Sequence, residues 1–548
     1  MSAELSRRVK VLSTVGVMLA LLLAALDQTI VGTALPRIVS ELNGLDRYSW
    51  LITGYLVSST VVVPIAGKLG DLFGRKPFLL AGMIGFVGAS ALAGLSQDMN
   101  QLIIFRIVQG LFGGLLFASA FTVLADIFPP AQRARMQGLF GGVFGLSSIL
   151  GPVIGGFLTD NLGWRWVFYV NLPIGILGVL MVVGFLPFVR TSASWRDIDF
   201  WGSGALAAGL IPLLVALSLA GQQGWGSAEV LGLMALGIVM LVVFFLVEQR
   251  VKEPIVPFRL FKNRVFAVSM IVGFLSALGM FGMIIFIPLE LQGVLKASVT
   301  NSGLLLTPMM GGLIVASVIS GQLMVRIKRY HYLGTLGLIL VMAGIFLVAQ
   351  TTTATPQYRV TIAIILVGLG LGATFPLYIN AVQSAVERRY LGVVTSNMQF
   401  FRNLGGTIAV AILGSILANR LPINIKSQVG ALNLPAAALG RIQIGGNPRQ
   451  IFDPAVLAAL RSKAVHDGGA AGAAFFDKVI GAVREGLAVT LHEMFLIGLV
   501  AIGVALVATV FMKEVSLTRT SPGMAGEPSP VPETVEAYEE THPAAVAR

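Results

Sequence analysis

The chain has 548 residues, of which 56% are hydrophobic and only 12% are charged, and its mean hydropathy is +0.85. Soluble globular proteins carry about 25% charged residues, so this composition excludes that class and indicates an integral membrane protein. The chain has no cysteine and only four histidines, which excludes disulfides and thiolate chemistry and argues against a metal site, although its net charge of +12 leaves nucleic acid to be considered.

Fourteen apolar segments are long enough to cross a membrane as helices, because about 20 apolar residues span the hydrocarbon core. Their length and lack of alternation favour helices over barrel strands. The first segment contains Asp27 and is too long for a signal peptide, so we interpret it as an uncleaved span. In chain order the segments are 11–33, 50–70, 77–96, 101–124, 136–159, 166–188, 198–220, 228–248, 265–288, 302–324, 333–350, 359–383, 401–419 and 490–512.

Lysine and arginine are distributed unequally between alternate loops. One set of loops, with both termini, holds 24 of them and includes Arg402, whereas the short loops of the other set hold five. The positive-inside rule then predicts that both termini are cytoplasmic. We also expect a multi-pass protein of the inner (plasma) membrane of a bacterium. This asymmetry accounts for the basic charge, so no nucleic-acid partner is expected.

A repeat indicates two halves. The spacing of Gly67, Leu69 and Arg75 recurs as Gly321, Leu323 and Arg329, each time after the second span of a six-span block. We therefore expect an all-α protein with two six-helix bundles and a two-helix linker. The predicted parts are residues 1–190, 191–260 and 261–512, followed by a disordered cytoplasmic tail at 513–548. A long extracytoplasmic loop at 420–488 could meet a periplasmic partner or gate substrate release. Within it we expect two short helices, one capped by Asp453 and covering 455–463, and one at 471–489 that runs into the last span.

The loop Gly67–Lys76 joins spans 2 and 3 and combines glycines for a tight turn with one carboxylate and three cations. It resembles the signature loop of the major facilitator superfamily, Gly-x-Leu-x-Asp-x-x-Gly-Arg-Lys. Four other segments resemble motifs of that superfamily or of its fourteen-helix drug:proton antiporter family, the EmrB/QacA type: Leu26–Pro36, Leu102–Gly110, Gly151–Gly156 and Trp164–Gly175.

The sequence is identified as a member of this family over about residues 10–512. It departs from the family pattern at Gly32, where asparagine is usual, and at Glu290, where an aromatic residue is usual. The resemblance implies the major facilitator fold, with two six-helix bundles plus two extra central helices, and transport by alternating access.

The charged loop is expected to act as a conformational latch. The resemblance implies that Asp71 faces the other bundle in the outward-facing state and that Arg75 pairs with Asp126 at the end of span 4. The predicted latch residues are Gly67, Asp71, Gly74, Arg75 and Asp126. A simpler alternative is that the charges only fix topology and turn geometry, but Asp71 fits this poorly because acids add little to orientation.

Asp27 is the clearest acid inside an apolar segment, where a charge costs about 2.5–3.5 kcal/mol. A rise of 1.5 Å per residue puts Asp27 and Arg106 of span 4 at similar depth in the outer half of the membrane. The resemblance implies that spans 1 and 4 both line the central cavity, so we expect the two residues to pair and to carry proton coupling. A pair that only holds the fold, and substrate binding by Arg106, are the alternatives.

Span 5 carries the motif associated with antiporters. Pro152 removes a backbone donor beside Gly151, and the pair Gly155 and Gly156 allows close helix contact, so a kinked and tightly packed span could restrict leak. A substrate cavity is predicted from apolar side chains of the second half that can adapt in shape. Its candidate residues are Met280, Phe281, Glu290, Phe375 and Tyr378, although Glu290 is expected at the water interface.

No Walker A sequence, nucleophile motif or metal cluster is present in the sequence, so no enzymatic activity, cofactor or metal is predicted and the proton gradient would supply the energy. The resemblance implies export of amphipathic, lipophilic or cationic drug-like compounds in exchange for protons. One alternative is a dedicated exporter of an endogenous lipid, siderophore or metabolite. Another is a membrane sensor or scaffold that does not transport.

Overall fold

The structure is a computed structural model that describes residues 6–42, 47–188, 197–295, 299–326, 331–387, 390–432 and 454–512. The end of the predicted repeat at residues 327–329, the helix start predicted at Asp453 and the predicted disordered tail at 513–548 lie outside the described residues.

Fifteen α-helices make up the described fold. A short 3₁₀ helix, Phe258–Lys262, precedes α10, and a π-helical turn, Glu290–Val294, follows it. The α-helices are α1 Arg7–Glu41, α2 Tyr48–Phe73, α3 Arg75–Gly94, α4 Met99–Ile127, α5 Pro130–Asn161, α6 Trp166–Tyr169, α7 Asn171–Phe185, α8 Phe200–Gln223, α9 Ala228–Glu248, α10 Arg264–Leu289, α11 Val299–Arg326, α12 His331–Ala349, α13 Gln357–Ser384, α14 Leu391–Gly430 and α15 Pro454–Val510.

Fourteen spans in the described residues are long and apolar enough to cross a membrane, with α6 and α7 together forming the sixth. This confirms the predicted number of spans and the all-helical fold. Several helices extend beyond the apolar segments that predicted them. The largest extension is in α14, which begins at Leu391 and ends at Gly430 rather than covering 401–419.

Local sequence explains several of the helix ends. Ser6 accepts a hydrogen bond from the Val9 N–H at the start of α1, and the Asp98 carboxylate accepts two from the first turn of α4. Gly74 separates α2 from α3 with φ of 86°, a left-handed backbone angle that favours glycine. The charged loop is therefore a one-residue break between two helices, and the end of the bundle that carries it is called the charged-loop face below.

The helices pack in two groups. In the first, α4 packs on α2 and α3, and α1 packs on α5 and α7. In the second, α13 packs on α11 and α12, while α10, α14 and α15 pack together. The two groups meet where α5 contacts α11 and where α14 contacts α2 and α4, and the pair α8–α9 packs against α14 and α2 through α8.

The segment predicted as a long loop, 420–488, is helical over much of its described part. The end of α14 packs against α15, with Val479 and Val483 of α15 buried beside Ile425 and Val429 of α14. Gly469 interrupts α15 with φ of 57°, and the helix then continues without a break into the last span. This continuity agrees with the predicted second helix of the segment, at 471–489.

Candidate functional site

Asp27 lies at the centre of a buried polar cluster in the first group of helices. Its side chain is fully buried, and Arg106 Nη1 of α4 lies 2.5 Å from its Oδ2. Its other oxygen, Oδ1, accepts hydrogen bonds from Gln109 Nε2 and from Asn171 Nδ2, both at 2.9 Å. Three donors on two other helices thus hold one carboxylate in the membrane-spanning part of α1.

The partners of Asp27 are themselves held by the surrounding helices. Arg106 donates to Gln109 Oε1 at 2.8 Å, and its guanidinium lies 4.4 Å from the centre of the Tyr55 ring of α2. Asn171 donates also to Ser90 Oγ of α3 at 3.0 Å. Helices α1, α2, α3, α4 and α7 therefore converge on one ion pair.

Similar depth, together with the family resemblance, predicted that Arg106 pairs with Asp27, and the structure brings the two together. Gln109 and Asn171 were not predicted as partners, although both stand in the motif segments noted in the sequence. A signal was present for Gln109, which follows Arg106 by three residues and so shares its face of α4. The contact of Asn171 with Asp27 depends on how α7 is rotated about its axis relative to α1, and the spacing of motifs along the sequence does not specify that rotation.

The charged loop joins the two groups of helices at its face. Asp71 Oδ2 accepts a hydrogen bond from the backbone N–H of Val393, near the start of α14, at 2.7 Å. Asp71 Oδ1 accepts a hydrogen bond from Arg75 Nη2 at 2.8 Å, and Arg75 Nη1 lies 2.7 Å from Asp126 Oδ2. The predicted pair of Arg75 and Asp126 is thus present, and Asp71 contacts the opposite group.

Close packing supports these polar contacts. Gly67 of α2 lies directly against Ser396 of α14, so that a Cβ atom at Gly67 would overlap the serine side chain. Deeper in the protein, Asn380 of α13 donates to Gln137 Oε1 of α5 at 2.6 Å. The two groups of helices therefore meet closely at and below the charged-loop face.

The helix pair α8–α9 is also tied to the charged loop. Lys68 of α2 lies 2.5 Å from Glu253, just after α9. The buried Glu248 at the end of α9 accepts hydrogen bonds from the N–H groups of Ile255 and Val256 at 3.1 and 3.2 Å. A change in the position of α2 would therefore be transmitted to the linker after α9.

The glycine motif of α5 packs against α1 just after Asp27. A Cβ atom at Gly151 would overlap Thr29, and one at Gly155 would overlap Thr33 and lie 2.9 Å from the Ile30 carbonyl oxygen. Gly156 and Pro152 do not share this contact, since Gly156 has no atom within 4 Å of an added Cβ and Pro152 is exposed. One side of the motif thus fixes the distance between α5 and α1.

A cavity of about 190 Å³ lies between the two groups of helices. Gln28 and Thr29 of α1 line it, directly after Asp27 in the chain. Four of the five predicted cavity residues also line it: Met280, Phe281, Phe375 and Tyr378. The remaining walls are mainly apolar, with a few hydroxyl groups.

Glu290 differs from its expected place. It is only 1% exposed, it lies in the π-helical turn after α10, and it does not line this cavity. The expectation of a water interface was wrong because the π-helical turn continues the helix and α15 packs against it.

Arg402 also differs from its expected place. The sequence put it with the cytoplasmic loop cations, but it is the twelfth residue of α14 and lines the cavity. At 1.5 Å per residue, it lies about 16 Å from the start of the helix, which is roughly half the thickness of the hydrocarbon core. The apolar run that predicted span 13 begins near residue 401, whereas the helix begins at Leu391.

Among the described residues, no group of three or more histidine, aspartate or glutamate side chains could hold a metal ion. Fourteen spans in two groups, a cavity between them and a buried acid–base cluster beside it define the class of polytopic membrane transport proteins. The chain matches the family model of the Major Facilitator Superfamily over residues 17–410, and it belongs to that superfamily. This confirms the resemblance found in the motifs.

Three curated relatives have names that refer to multidrug transport, resistance or export. The chain is 38% identical over 530 residues to the multidrug transporter protein MdtP of Bacillus subtilis, covering 94% of this chain and 96% of that protein. It is 35% identical over 509 residues to multidrug resistance protein 3 of the same organism, with 92% and 96% covered. It is also 30% identical to the tetracenomycin C resistance and export protein of Streptomyces glaucescens, with 85% and 88% covered.

The fold is shared with a solved transporter of low sequence identity. The crystal structure of the human organic anion transporter MFSD10 matches with a TM-score of 0.56 and 14% identity, covering 90% of this chain and 99% of that one. The likeness shows the fold alone. The family match, and not this likeness, places the chain among membrane transporters of small molecules.

Proposed function

We propose that this protein is a proton-coupled antiporter that exports amphipathic compounds by alternating access. The observation that carries the proposal is the buried carboxylate of Asp27, held by Arg106, Gln109 and Asn171 directly beside the central cavity. A charge in the membrane interior is costly and typically serves function, and an acid that binds a proton there removes that charge.

Proton binding and substrate binding share one helix in this proposal. Asp27 belongs to the polar cluster, while the next two residues, Gln28 and Thr29, line the cavity. When a proton neutralises Asp27, Arg106 loses its ionic partner and the helices around the cluster can rearrange. A substrate pressing on Gln28 and Thr29 would act on the same stretch of α1, which supports coupling between the two ligands.

Alternating access requires that the two groups of helices separate at one face at a time. The contacts of Asp71 with Val393 and of Gly67 with Ser396 hold the charged-loop face closed in this structure. We take the charged-loop face to be cytoplasmic, with both termini on that side of a bacterial inner membrane. The structure then corresponds to a state closed to the cytoplasm, and the latch controls its return to the inward-open state.

The cavity favours lipophilic compounds over cationic ones. None of the described residues that line it is acidic, and its aromatic and methionine side chains offer adaptable apolar surface. The proton gradient supplies enough free energy to export such a substrate. A gradient of 100 mV is worth about 2.3 kcal/mol per charge, so one proton supports a roughly fifty-fold concentration ratio of a neutral compound.

The experiment that tests the proposal is transport in proteoliposomes with an imposed pH gradient, using a panel of amphipathic compounds. Wild type should move several of them against their own gradients, and Asp27→Asn should abolish this coupled flux while substrate binding remains. Asp98→Asn is the matched control, because Asp98 caps α4 at its exposed end and asparagine also caps helices well.

Two results would count against the proposal. Coupled flux that survives in Asp27→Asn would remove Asp27 from proton coupling. Wild-type protein that binds compounds but moves none of them would favour a sensor or scaffold. A profile restricted to one compound would retain the coupling and identify a dedicated exporter.

A further inference from the structure

Arg402 is a cation inside the protein without an acid beside it. It lines the central cavity from α14, and no described side chain forms a salt bridge or hydrogen bond with its guanidinium. Other buried cations of the described residues have polar partners, because Arg106 pairs with Asp27, Arg75 with Asp71 and Asp126, and Lys68 with Glu253, while Arg133 donates to the Phe128 carbonyl oxygen.

Two aromatic rings stack on the guanidinium of Arg402 but do not accept hydrogen bonds from its N–H groups. Its central carbon lies 4.2 Å from the centre of the Phe375 ring and 5.8 Å from that of Phe144. Stacking on an aromatic face leaves the edge of the guanidinium free, and its Nε is buried without an acceptor. The planar N–H groups at such an edge match a carboxylate or sulfonate, which can accept two of them at once.

Further donors face the same cavity. The hydroxyl groups of Ser276 on α10 and Ser317 on α11 are buried and have no hydrogen-bond partner among the described residues, and both residues line the cavity. Hydroxyls and a guanidinium can all donate to an anion. Around them the walls are apolar, with Met280, Phe281 and Met310 among the lining residues.

We propose that the cavity binds amphipathic compounds that carry one anionic group, a carboxylate or sulfonate, with that group paired to Arg402. This rests on the proposed export function and names the substrate class that the same cavity prefers. The apolar body of the compound packs on Phe281 and Met280, while the anion restores the charge balance that Arg402 lacks within the protein. A cationic compound would be repelled from the same position.

A purely structural role is the competing explanation, in which Arg402 only positions the Phe375 ring. The two explanations differ in their dependence on the charge of the compound. An anion site discriminates between a carboxylate and its ester, whereas a packing role affects both equally. The test therefore uses a matched pair, N-dansyl-leucine and N-dansyl-leucine methyl ester, which share an apolar body and a fluorophore.

The full-length protein is placed in nanodiscs, and dansyl fluorescence measures binding without any gradient. Wild type is expected to bind the carboxylate at least tenfold more tightly than Arg402→Gln does, with ester binding changed less than twofold. Arg402→Lys should restore part of the preference, because lysine keeps the charge without the planar fork. Arg420→Gln is the matched control, since Arg420 lies on the same helix with 59% of its side chain exposed.

Equal loss of both compounds in Arg402→Gln would overturn the proposal and assign a packing role. Equal binding of carboxylate and ester by wild type would also overturn it. Transport of the pair in proteoliposomes with a pH gradient is measured separately with wild type and Asp27→Asn. Charge-selective binding with no coupled flux would contradict the proposed function while supporting the anion site. Coupled flux without charge-selective binding would support the proposed function and contradict the anion site.

Discussion

The carboxylate of Asp71 accepts a hydrogen bond from the backbone N–H of Val393, 322 residues later in the chain. The donor lies in the first turn of α14, where backbone N–H groups have no partner within the helix and the helix dipole favours a negative charge. One side chain of the charged loop thus serves as a cap for a helix of the other group. Opening this face must break that contact.

The first prediction concerns this contact. Asp71→Ala should shift the protein toward states that are open at the charged-loop face, because a hydrogen bond to a charged group contributes about 1.5–3 kcal/mol. The chain has no native cysteine, so Ser396→Cys provides a single reporter that is buried against Gly67. Maleimide labelling of this cysteine in nanodiscs should become at least tenfold faster in the Asp71→Ala background.

Asp126→Asn is the control for that measurement. It removes the acid that pairs with Arg75 within the first group but leaves the contact between Asp71 and Val393 in place. Labelling should accelerate less than in Asp71→Ala. Equal acceleration in the two variants would show that the loop acts through turn geometry alone.

The second prediction concerns Asn171, which donates to Asp27 Oδ1 at 2.9 Å from the first position of α7. Asn171→Leu removes one of the donors that hold the carboxylate in place beside the cavity. We expect transport driven by a pH gradient to fall at least tenfold, while binding of compounds in the absence of a gradient changes less than threefold. Proteoliposome flux and nanodisc binding provide the two measurements.

Asn161→Leu is the matched control for this variant. Asn161 is exposed at the end of α5, and among the described residues its side chain donates only to the Phe157 carbonyl oxygen. Flux in this variant should match wild type. A parallel loss of binding and flux in Asn171→Leu would point to a damaged fold rather than to a disturbed proton site, which thermal unfolding would check.

The sequence was sufficient to predict the membrane spans, the family and the pairing of Asp27 with Arg106. Apolar length predicts a span, and 1.5 Å per residue predicts its depth, so two charges at similar depth on adjoining helices can be matched. The rest of the cluster around Asp27 depends on how each helix is rotated about its axis. Asn171 reaches the carboxylate only because α7 presents its first residue to α1.

The position of Arg402 shows that a hydropathy window can misplace the start of a membrane span. The first turns of α14 contain polar residues, among them Thr395 and Asn397, so an apolar window places the start of the span too late. Contacts with other elements stabilise these turns, including the cap from Asp71 and the hydrogen bond from Asn397 to the Ile255 carbonyl oxygen. Such contacts are tertiary, and a window along the chain does not contain them.

The third prediction is a dependence on pH at the face opposite the charged loop. Arg37 donates to Glu41 Oε1 at 2.7 Å and the Trp164 indole donates to Oε2 at 2.9 Å, which lowers the pKa of Glu41, with the Arg37 hydrogen bond as the largest cause. The unfolded value is about 4.3. The contact therefore stabilises the fold above that pH, and the contribution is lost as pH falls through the lower folded value.

Thermal unfolding of wild type and Glu41→Gln from pH 7 to pH 3 measures this contribution. Wild type should be more stable at neutral pH by no more than about 1 kcal/mol, because the pair is largely exposed and screened. The difference in stability between wild type and Glu41→Gln should vanish near pH 3. In an Arg37→Gln background the difference should already be smaller at pH 7, and a gap that persists unchanged at pH 3 would contradict the account.

The fourth prediction uses two neighbouring glycines of α5 that differ in their surroundings. Gly155→Ala places a Cβ atom against Thr33 and 2.9 Å from the Ile30 carbonyl oxygen, so α5 and α1 must separate. Overpacking of this kind costs about 1–3 kcal/mol. Because the displaced stretch of α1 begins at Ile30, within one turn of Asp27, coupled transport should fall together with thermal stability.

Gly156→Ala is the internal control, since an added Cβ at Gly156 has no atom within 4 Å. Both variants make the same change in adjacent residues of one helix, so any effect of alanine on helix propensity is shared between them. Stability and flux in Gly156→Ala should equal or exceed wild type, because alanine is favoured over glycine in a helix. If the two variants lose stability and flux equally, the motif acts through flexibility of α5 itself, and its close contact with α1 is not what transport requires.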